Sequence, residues 1–237
     1  LGLDNPATRH LAAELRATVR WFSLKNEVED GACLIDDQIT LIKGHQPKPV
    51  CPVAALKLRG EHNIANILAA CAIAEAAGAT VEAMAAVATS FAGVPHRLEL
   101  VTRQKGVAYY NDSIATSPER LIAALKSFAE PLILLAGGKD KNLPWDEAAR
   151  LIGRRVKHLV LFGQAADLID RALQQAQPPN SQTQVHHTYT LERAVAKAKR
   201  LAQPGDVVLL SPGCASFDAY VDFAARGEHF RALVLNK

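Results

Sequence analysis

The chain has 237 residues, of which 49% are hydrophobic and 22% are charged, and its formal net charge is +3 at pH 7. This balance is typical of an ordinary globular protein and excludes disordered, collagen-like and coiled-coil chains. No apolar run approaches the roughly 18 residues of a membrane-spanning helix, and the small basic excess suits an anionic substrate but is too weak to indicate nucleic-acid binding.

The cysteines and the first residues of the chain indicate the cellular compartment of the protein. The chain has four cysteines: Cys33, Cys51, Cys71 and Cys214. They form no C-x-x-C pair and no metal-like spacing, which predicts a reduced, cytoplasmic environment. The start of the chain has no basic, apolar leader typical of secretion. Because the only methionine is Met84, we expect that residue 1 follows a lost leader or a longer upstream segment.

The sequence patterns in residues 1–95 predict one domain of short helices and strands. In chain order the patterns predict a helix at 7–15, a strand at 18–23, a hairpin around 36–38, and a proline-punctuated loop at 47–52. Thirteen alanines among residues 61–92, interrupted by Gly78, predict two closely packed helices at 62–77 and 80–91.

Residues 96–237 predict a second domain in which strands and helices alternate. The strand candidates are 98–102, 107–110, 132–136, 158–162, 184–187 and 207–210. The helix candidates are 117–128, 145–153, 165–176, 190–202 and 216–226. A polar stretch at 174–184 with Pro178-Pro179 predicts a surface loop. Because the central strand candidates are apolar on both faces, we predict an α/β fold with a doubly wound, mostly parallel, Rossmann-like sheet.

The loops after three of these strands carry candidate functional residues, since ligands of open parallel sheets lie beyond the carboxyl ends of the strands. After the strand at 107–110, Asn111, Asp112 and Thr116 precede a helix that Ser117 and Pro118 are expected to begin. The hydroxyl and Asp side chains indicate either a local function or a simple helix start.

Two further loops have a similar character. One of them follows a predicted strand and consists of Gly137-Gly138-Lys139-Asp140-Lys141. Its glycines would let the backbone approach a ligand closely, and the alternative interpretation is a charged turn. It is neither a G-x-G-x-x-G nor a Walker A motif. The segment from Ser211 to Asp218 predicts an anion site where Ser216 begins a helix. Cys214 lies beside it, and a buried structural cysteine is favoured over a nucleophile because no His is placed to serve it.

Asparagines at the start of the first alanine-rich helix form the last candidate site. Asn63 and Asn66 lie three residues apart and therefore share a helix face. Their amides suit simple helix capping or recognition of a base edge.

Five segments in order along residues 58–227 resemble the Mur ligase family. They are Leu58-x-Gly60-x-His62-Asn63-x-x-Asn66, Gly93-x-Pro95-His96-Arg97, Asn111-Asp112-Ser113-x-Ala115-Thr116, Ala136-Gly-Gly-Lys-Asp-Lys141, and Ser211-Pro-x-Cys-Ala-Ser216 continuing to Phe223-x-x-Arg226-Gly227. Each segment is weakly specific by itself, and their order makes the resemblance strong.

The resemblance implies an ATP-dependent amide ligase of bacterial peptidoglycan-precursor synthesis. Such an enzyme adds D-glutamate to UDP-N-acetylmuramoyl-L-alanine through an acyl phosphate, with Mg²⁺, and its chemistry is mostly positioning and charge neutralisation. The resemblance also implies that 1–95 is the tail of a P-loop-type ATPase domain. Residues 96–237 would be the C-terminal domain that binds the amino acid and adenosine.

The resemblance carries functional roles over to nine positions. The residues implied to contact ATP are Asn63, Asn66, His96, Arg97 and Asp112. Those implied to form the D-glutamate pocket are Thr116, Lys141, Ser216 and Phe223. There Lys141 would act as a point charge and Ser216 as a hydroxyl donor toward a carboxylate, and Phe223 would form part of the wall.

The sequence departs from the family pattern at two places. Ile114 stands where many members have a lysine that faces the nucleotide, so binding would be weaker unless another lysine such as Lys139 substitutes. No G-x-x-x-x-G-K-[ST] motif is present. We therefore expect the phosphate loop and the metal ligands upstream of residue 1, assign no catalytic or metal-binding residue within the chain, and expect the chain alone to be inactive.

Two alternatives remain beside this interpretation. The chain could be a stand-alone Rossmann-like module that binds a nucleotide or anion. It could also come from a sibling Mur ligase or a folylpolyglutamate-type ligase that adds another amino acid. In each case we expect a monomer that binds small molecules, and neither nucleic acid nor a membrane.

Overall fold

The computed structural model describes residues 1–176 and 181–236, which form two compact units that divide between Ala92 and Gly93. Within the predicted surface loop at 174–184, Pro178-Pro179 lies outside the described residues. Across the described ranges, no helix combines the length and apolar character needed to cross a membrane.

The first unit is a small mixed sheet packed against helices. Its strands are β1 (Trp21–Ser23), β2 (Gly31–Ile35), β3 (Gln38–Lys43) and β4 (Gln46–Pro52), in the spatial order β1-β2-β3-β4. Its helices are α1 (Pro6–Ala12), α2 (Glu61–Ala76) and α3 (Val81–Ser90), with a short 3₁₀ turn at Val53–Ala55. The core lies between the sheet and α2 and α3, where Ile39, Leu68 and Met84 are buried. The predicted alanine-rich helix pair is confirmed.

The hairpin between β2 and β3 is also confirmed, and its turn explains the two aspartates. Asp36 and Asp37 both have positive φ angles, of 47° and 57°. A two-residue hairpin turn favours that backbone because it matches the twist of the strands, and Asp tolerates it better than most residues.

The predicted proline-rich loop is wrong, because residues 46–52 form strand β4. It pairs antiparallel with β3, with a shift in register between Ile39 and Thr40. β4 is at the edge of the sheet, and edge strands accommodate proline because one side of the strand needs no N–H donors. Val50 and Cys51 are buried, and their burial supplies the apolar contacts that hold the strand in place.

The second unit contains a six-stranded, mostly parallel sheet. Its strands are β5 (Glu99–Gln104), β6 (Val107–Asn111), β7 (Leu132–Gly137), β8 (Val156–Phe162), β9 (Gln184–Tyr189) and β10 (Val207–Gly213). Their spatial order is β5-β6-β10-β7-β8-β9, and only β5 runs antiparallel to its neighbour. Strands β7 and β10 are buried along their full length, as expected for central strands covered on both faces.

Helices cover both faces of this sheet, so the predicted doubly wound fold is confirmed. One face packs against α4 (Pro118–Lys126), α5 (Asp146–Arg155) and α6 (Ala166–Ala176), and the other against α7 (Leu191–Leu201) and α8 (Phe223–Leu235). The chain moves in one direction from β6 through β7 and β8 to β9 and then returns to β10. Because crossovers are right-handed, this reversal places α7 on the opposite face.

The predicted helix at 216–226 is wrong, because α8 begins at Phe223. Asp222 caps it, since its carboxylate accepts a hydrogen bond from the backbone N of Ala225 at 2.7 Å. Residues 216–222 instead form turns, in which the backbone N–H groups of Ala219 and Tyr220 donate to the carbonyl of Ser216. Phe217 and Val221 are exposed in this segment, so it has no buried apolar face to stabilise a longer helix.

Candidate functional site

The loops that follow β6, β7 and β10 meet at the carboxyl edge of the second unit's sheet, because β10 lies between β6 and β7. Thr116 follows β6, Lys141 follows β7, and their side chains form a hydrogen bond from Lys141 Nζ to Thr116 Oγ1 at 3.0 Å. Lys141 is exposed. The structure therefore brings together two of the four residues predicted for an amino-acid pocket and leaves the ammonium group accessible.

The other two predicted pocket residues, Ser216 and Phe223, lie on either side of the turns that precede α8. Ser216 is buried, and its neighbour Ala215 is joined to Lys139 by two backbone hydrogen bonds of 2.8 and 2.9 Å. The carbonyl of Phe223 accepts a hydrogen bond from Ser113 Oγ at 2.8 Å. Ser216 does not begin a helix, so the expected anion site at a helix N-terminus is absent there.

A buried guanidinium group joins two of these loops; it belongs to Arg226, which stands in the fifth of the family segments but was assigned no role from the sequence. Arg226 is fully buried and donates from Nε to Ser113 Oγ at 3.0 Å and from Nη2 to the carbonyls of Ser113 and Cys214 at 2.9 and 3.1 Å. Its Nη1 donates to the carbonyl of Ala215 at 3.2 Å. Burial lowers the pKa of Arg226 to about 10, although Asp218 opposes this. In the sequence, the burial of Arg226 could have been suspected because this arginine lies on an otherwise apolar face of its helix.

The Gly137-Gly138 pair is needed for contact between neighbouring strands and loops. A Cβ on Gly137 would lie 1.8 Å from the carbonyl oxygen of Phe162, and one on Gly138 would lie 2.2 Å from that of Ala215. Both residues have positive φ, of 139° and 126°. The close approach that the sequence suggested is therefore made to the protein's own backbone.

We expect Gly137→Ala to lower the free energy of unfolding of the second unit by at least about 2 kcal/mol, because it combines a strained φ with a backbone clash. Urea denaturation of the variant and the parent chain would measure the loss. Gly205→Ala is the matched control, since Gly205 also has positive φ but no atom within 4 Å of its added Cβ. Equal losses in the two variants would contradict the proposed clash.

Cys214 has the properties of a buried structural thiol. It is buried, and burial raises its pKa to about 12, with the nearby Asp140 adding to the effect. A thiol with this pKa stays protonated near neutral pH and is a poor nucleophile. The favoured interpretation of Cys214 as a small buried residue is confirmed.

His96 is held inside the second unit by a set of polar contacts. It is buried, with a φ of 65°, and its Nδ1 lies 3.0 Å from Asn111 Nδ2. Its Nε2 lies 3.5 Å from a carboxylate oxygen of Glu228. A Cβ at Gly227 would lie 2.2 Å from Nδ1 of His96, which explains glycine at that position. The adjacent Arg97 is exposed.

Asp112 lies in a buried position at the end of β6. One carboxylate oxygen accepts from the backbone N of Leu98 at 3.1 Å, and the other accepts from Ser211 Oγ at 2.9 Å. Burial raises the pKa of Asp112 to about 7, against the opposing effects of these hydrogen bonds and of Arg97. Each oxygen keeps a lone pair that can accept another donor.

We expect carboxyl ¹³C NMR of the chain to show that Asp112 titrates near pH 7. Because this pKa lies above the unfolded value of 3.8, the folded state binds more protons between pH 4 and 7. Stability should therefore fall as the pH rises through this window and become constant above it. Asp112→Asn should remove this part of the pH dependence. A carboxyl pKa below 4 in the folded chain would contradict the expectation.

Asn63 and Asn66 belong to the first unit, in the first two turns of α2. Asn63 is buried and donates from Nδ2 to the carbonyl of Arg59 at 2.7 Å, whereas Asn66 is exposed. The amide of Asn63 therefore helps to satisfy the backbone that precedes the helix, and the amide of Asn66 is accessible.

The described ranges hold no group of three or more His, Cys, Asp or Glu side chains placed to bind a metal ion. The second unit does offer an exposed Arg97 and a buried Asp112 on neighbouring segments. They are a cation and an acceptor of the kinds that phosphate and sugar hydroxyls require.

Comparison with known proteins relates this geometry to a family. Residues 96–214 match the family model described as "Mur ligase, glutamate ligase domain". The chain is 41% identical over 99% of its length to the UDP-N-acetylmuramoylalanine–D-glutamate ligase of Symbiobacterium thermophilum, and 41% identical over its whole length to that of Clostridium novyi. It covers 51% of each of those proteins, so the chain spans about half the length of the curated relatives it matches.

Solved structures show the same fold at low sequence identity. The UDP-N-acetylmuramate–alanine ligase MurC of Thermotoga maritima matches with a TM-score of 0.60 and 16% identity, over 92% of this chain and 48% of that one. A pseudomurein peptide ligase type C of Methanothermus fervidus matches with a TM-score of 0.61 and 16% identity, over 90% of this chain and 42% of that one. These similarities show the fold, and the family model matched over residues 96–214 shows that the chain belongs to the Mur ligase family.

Proposed function

We propose that this chain forms the amino-acid-binding part of an ATP-dependent ligase that adds D-glutamate to UDP-N-acetylmuramoyl-L-alanine. The observation that carries the proposal is the accessible Lys141 ammonium group held against Thr116 at the carboxyl edge of the sheet. The names of the relatives that match the whole chain at 41% identity support the choice of D-glutamate.

Each proposed pocket residue has a distinct task in binding a dicarboxylic amino acid. Lys141 would neutralise one carboxylate of the substrate, and the hydroxyl of Thr116 would fix the position of the ammonium group. Ser216, in the buried turn after β10, would donate its hydroxyl to a carboxylate oxygen. Phe223 would form part of the wall. Arg226 would act through Ser113 and Ala215, which it joins, rather than by contact with substrate.

The nucleotide side of the proposal takes its residues from the resemblance to the family. Arg97 would contact the phosphates of ATP, and Asp112 would accept a hydrogen bond from a ribose hydroxyl. His96 would contribute on the adenosine side mainly by positioning, because its imidazole is already held by Asn111. Asn63 and Asn66 would border the adenine. The alanyl carboxylate of UDP-N-acetylmuramoyl-L-alanine would take the terminal phosphoryl group of ATP and release ADP, and the amine of D-glutamate would then displace phosphate from the acyl phosphate. Mg²⁺ would be held by ligands other than the residues described.

A ligation assay tests the proposed function. The longer protein that contains this sequence is expected to form product only with UDP-N-acetylmuramoyl-L-alanine, ATP and D-glutamate together. Other amino acids, such as L-lysine and L-glutamate, should give little product. The 237-residue chain alone is expected to be inactive, because it has no phosphate-loop motif. Preference for another amino acid would favour a sibling ligase.

The alternative of a stand-alone nucleotide-binding or anion-binding module makes a different prediction. Such a module would bind its ligand fully as the 237-residue chain and would show no ligase activity in any longer form. In line with the ligase proposal, we propose a monomer that acts in the bacterial cytoplasm on small molecules, without nucleic acid or a membrane.

A further inference from the structure

The second unit contains a pocket of about 350 Å³ beside the carboxyl ends of β8 and β9. The start of α7, the turns after β10 and one side chain of α8 complete its lining. None of the nine residues proposed above for ATP or D-glutamate lines it. Its volume falls within the range of about 300–1,000 Å³ that is usual for small-molecule sites. We refer to it as the β8–β9 pocket.

The charged groups of the β8–β9 pocket favour a positively charged ligand. Glu192 and Asp218 contribute carboxylates, and none of the described lining residues is a lysine or arginine. Asp218 is held in place because its Oδ2 accepts a hydrogen bond from the backbone N of Gln164 at 3.2 Å. The lining therefore places two carboxylates in a confined volume, where their potential attracts a cation.

The N-terminus of α7 also borders the pocket, but its positive end is already compensated by an internal anion. The carboxylate of Glu192 accepts hydrogen bonds from the Thr190 hydroxyl and from its own backbone N–H, and these lower its pKa. A carboxylate in the first turn satisfies the helix dipole. An external anion would have to displace it, which argues against a phosphate or carboxylate ligand.

His229 takes part in a polar network in the wall of the pocket. Its Nδ1 lies 2.8 Å from the Tyr220 hydroxyl, and its Nε2 lies 3.6 Å from Glu192 Oε1. The imidazole is therefore placed between Tyr220 and Glu192, and the carboxylates of Glu192 and Asp218 are the acidic groups of the pocket.

Tyr189 is an aromatic residue among those that line the pocket. It is 75% exposed and has a φ of 67°, and its carbonyl accepts a hydrogen bond from the backbone N of Gly163 at 3.0 Å. The face of an aromatic ring attracts a cation, and it does so for guanidinium and ammonium groups alike. A tyrosine and two carboxylates in one lining are a combination that suits such a group.

We propose that the β8–β9 pocket binds a small organic cation that carries an alkylammonium or guanidinium group. Tyr189 contacts the cation through its ring, while Glu192 and Asp218 neutralise its charge. This inference goes beyond the proposed ligase activity and does not depend on it, because it concerns other residues of the second unit.

Protein-detected NMR of the full 237-residue chain tests the proposal with two cations and one neutral compound. n-Butylguanidinium is expected to shift the amide resonances of Gly163, Glu192 and Ala219 in a saturable manner, and n-butylammonium to shift the same resonances. n-Butylurea, which has the same shape without the charge, should leave them unchanged. Equal shifts with n-butylurea, shifts confined to other residues, or no shift with either cation would overturn the proposal.

Variants at the lining residues measure separately how much the carboxylate charge and the tyrosine ring contribute to ligand binding. Glu192→Gln should weaken n-butylguanidinium binding by about two- to fivefold through the lost charge. Tyr189→Leu should weaken it by about two- to fivefold, whereas Tyr189→Phe should retain it. Glu147→Gln is the matched control, because Glu147 is an exposed carboxylate in the first turn of α5 and lies outside the pocket. Unchanged binding in Glu192→Gln and Tyr189→Leu would overturn the assignment.

Discussion

Arg226→Ala is expected to lower the free energy of unfolding of the second unit by about 3 to 5 kcal/mol. The side chain is fully buried and donates to the carbonyls of Ser113, Cys214 and Ala215. Truncation leaves these acceptors without their donor and opens a cavity of several methylene groups. The loss should exceed that of any exposed arginine in the same unit.

Urea denaturation would measure this loss through the fluorescence of Trp145. The chain has two tryptophans, so a Trp21→Phe background leaves a reporter in the second unit alone, where Trp145 is buried. Arg193→Ala is the matched control, since Arg193 is exposed on α7 and its loss should stay within about 0.5 kcal/mol. Similar losses in Arg226→Ala and Arg193→Ala would show that the buried contacts contribute little.

Arg226→Lys separates the charge of the side chain from its geometry. Lysine keeps a positive charge but has no planar fork of donors, so it can satisfy fewer of the carbonyls at the same time. We expect its loss of stability to be intermediate between those of the parent chain and Arg226→Ala. A variant as stable as the parent would show that charge alone is sufficient.

The fold of the second unit could be predicted from sequence because its signals are local and repeated. Aliphatic runs such as 132–136 and 159–162 can be buried on both faces only in the interior of a sheet, and the intervening helices follow from periodicity. The strand order could not be predicted in this way. It places β10 between β6 and β7, which depends on contacts between segments far apart in the chain.

The errors arose where tertiary context outweighed local pattern. The prolines of residues 47–52 indicated a loop, but an edge position and the burial of Val50 and Cys51 made a strand possible. The segment after Ser216 resembled a helix start, but Asp222 provides the actual cap. The role of Arg226 also escaped prediction, because three of its four contacts are to backbone carbonyls, which no sequence motif specifies.

In the proposed D-glutamate ligase that would contain this chain, Lys141→Ala is expected to raise the KM for D-glutamate by about 10- to 100-fold, the effect of losing one charge-assisted hydrogen bond. The KM for ATP should change by less than about threefold. The reason is positional: the Lys141 ammonium group is accessible and is held by Thr116 at 3.0 Å, beside the turn that contains Ser216. Steady-state kinetics with each substrate varied in turn would measure both constants.

Two further variants distinguish a binding role from a general loss of charge. Lys126→Ala removes an exposed lysine at the end of α4 and should leave both constants unchanged. Thr116→Val removes the acceptor that positions Lys141, so it should raise the KM for D-glutamate by less than Lys141→Ala does. Because Lys141 is exposed, none of its effect should come from unfolding, and the thermal transition of Lys141→Ala should match the parent. Equal increases in the KM for D-glutamate and for ATP would argue against the assigned pocket and would place Lys141 on the nucleotide side instead.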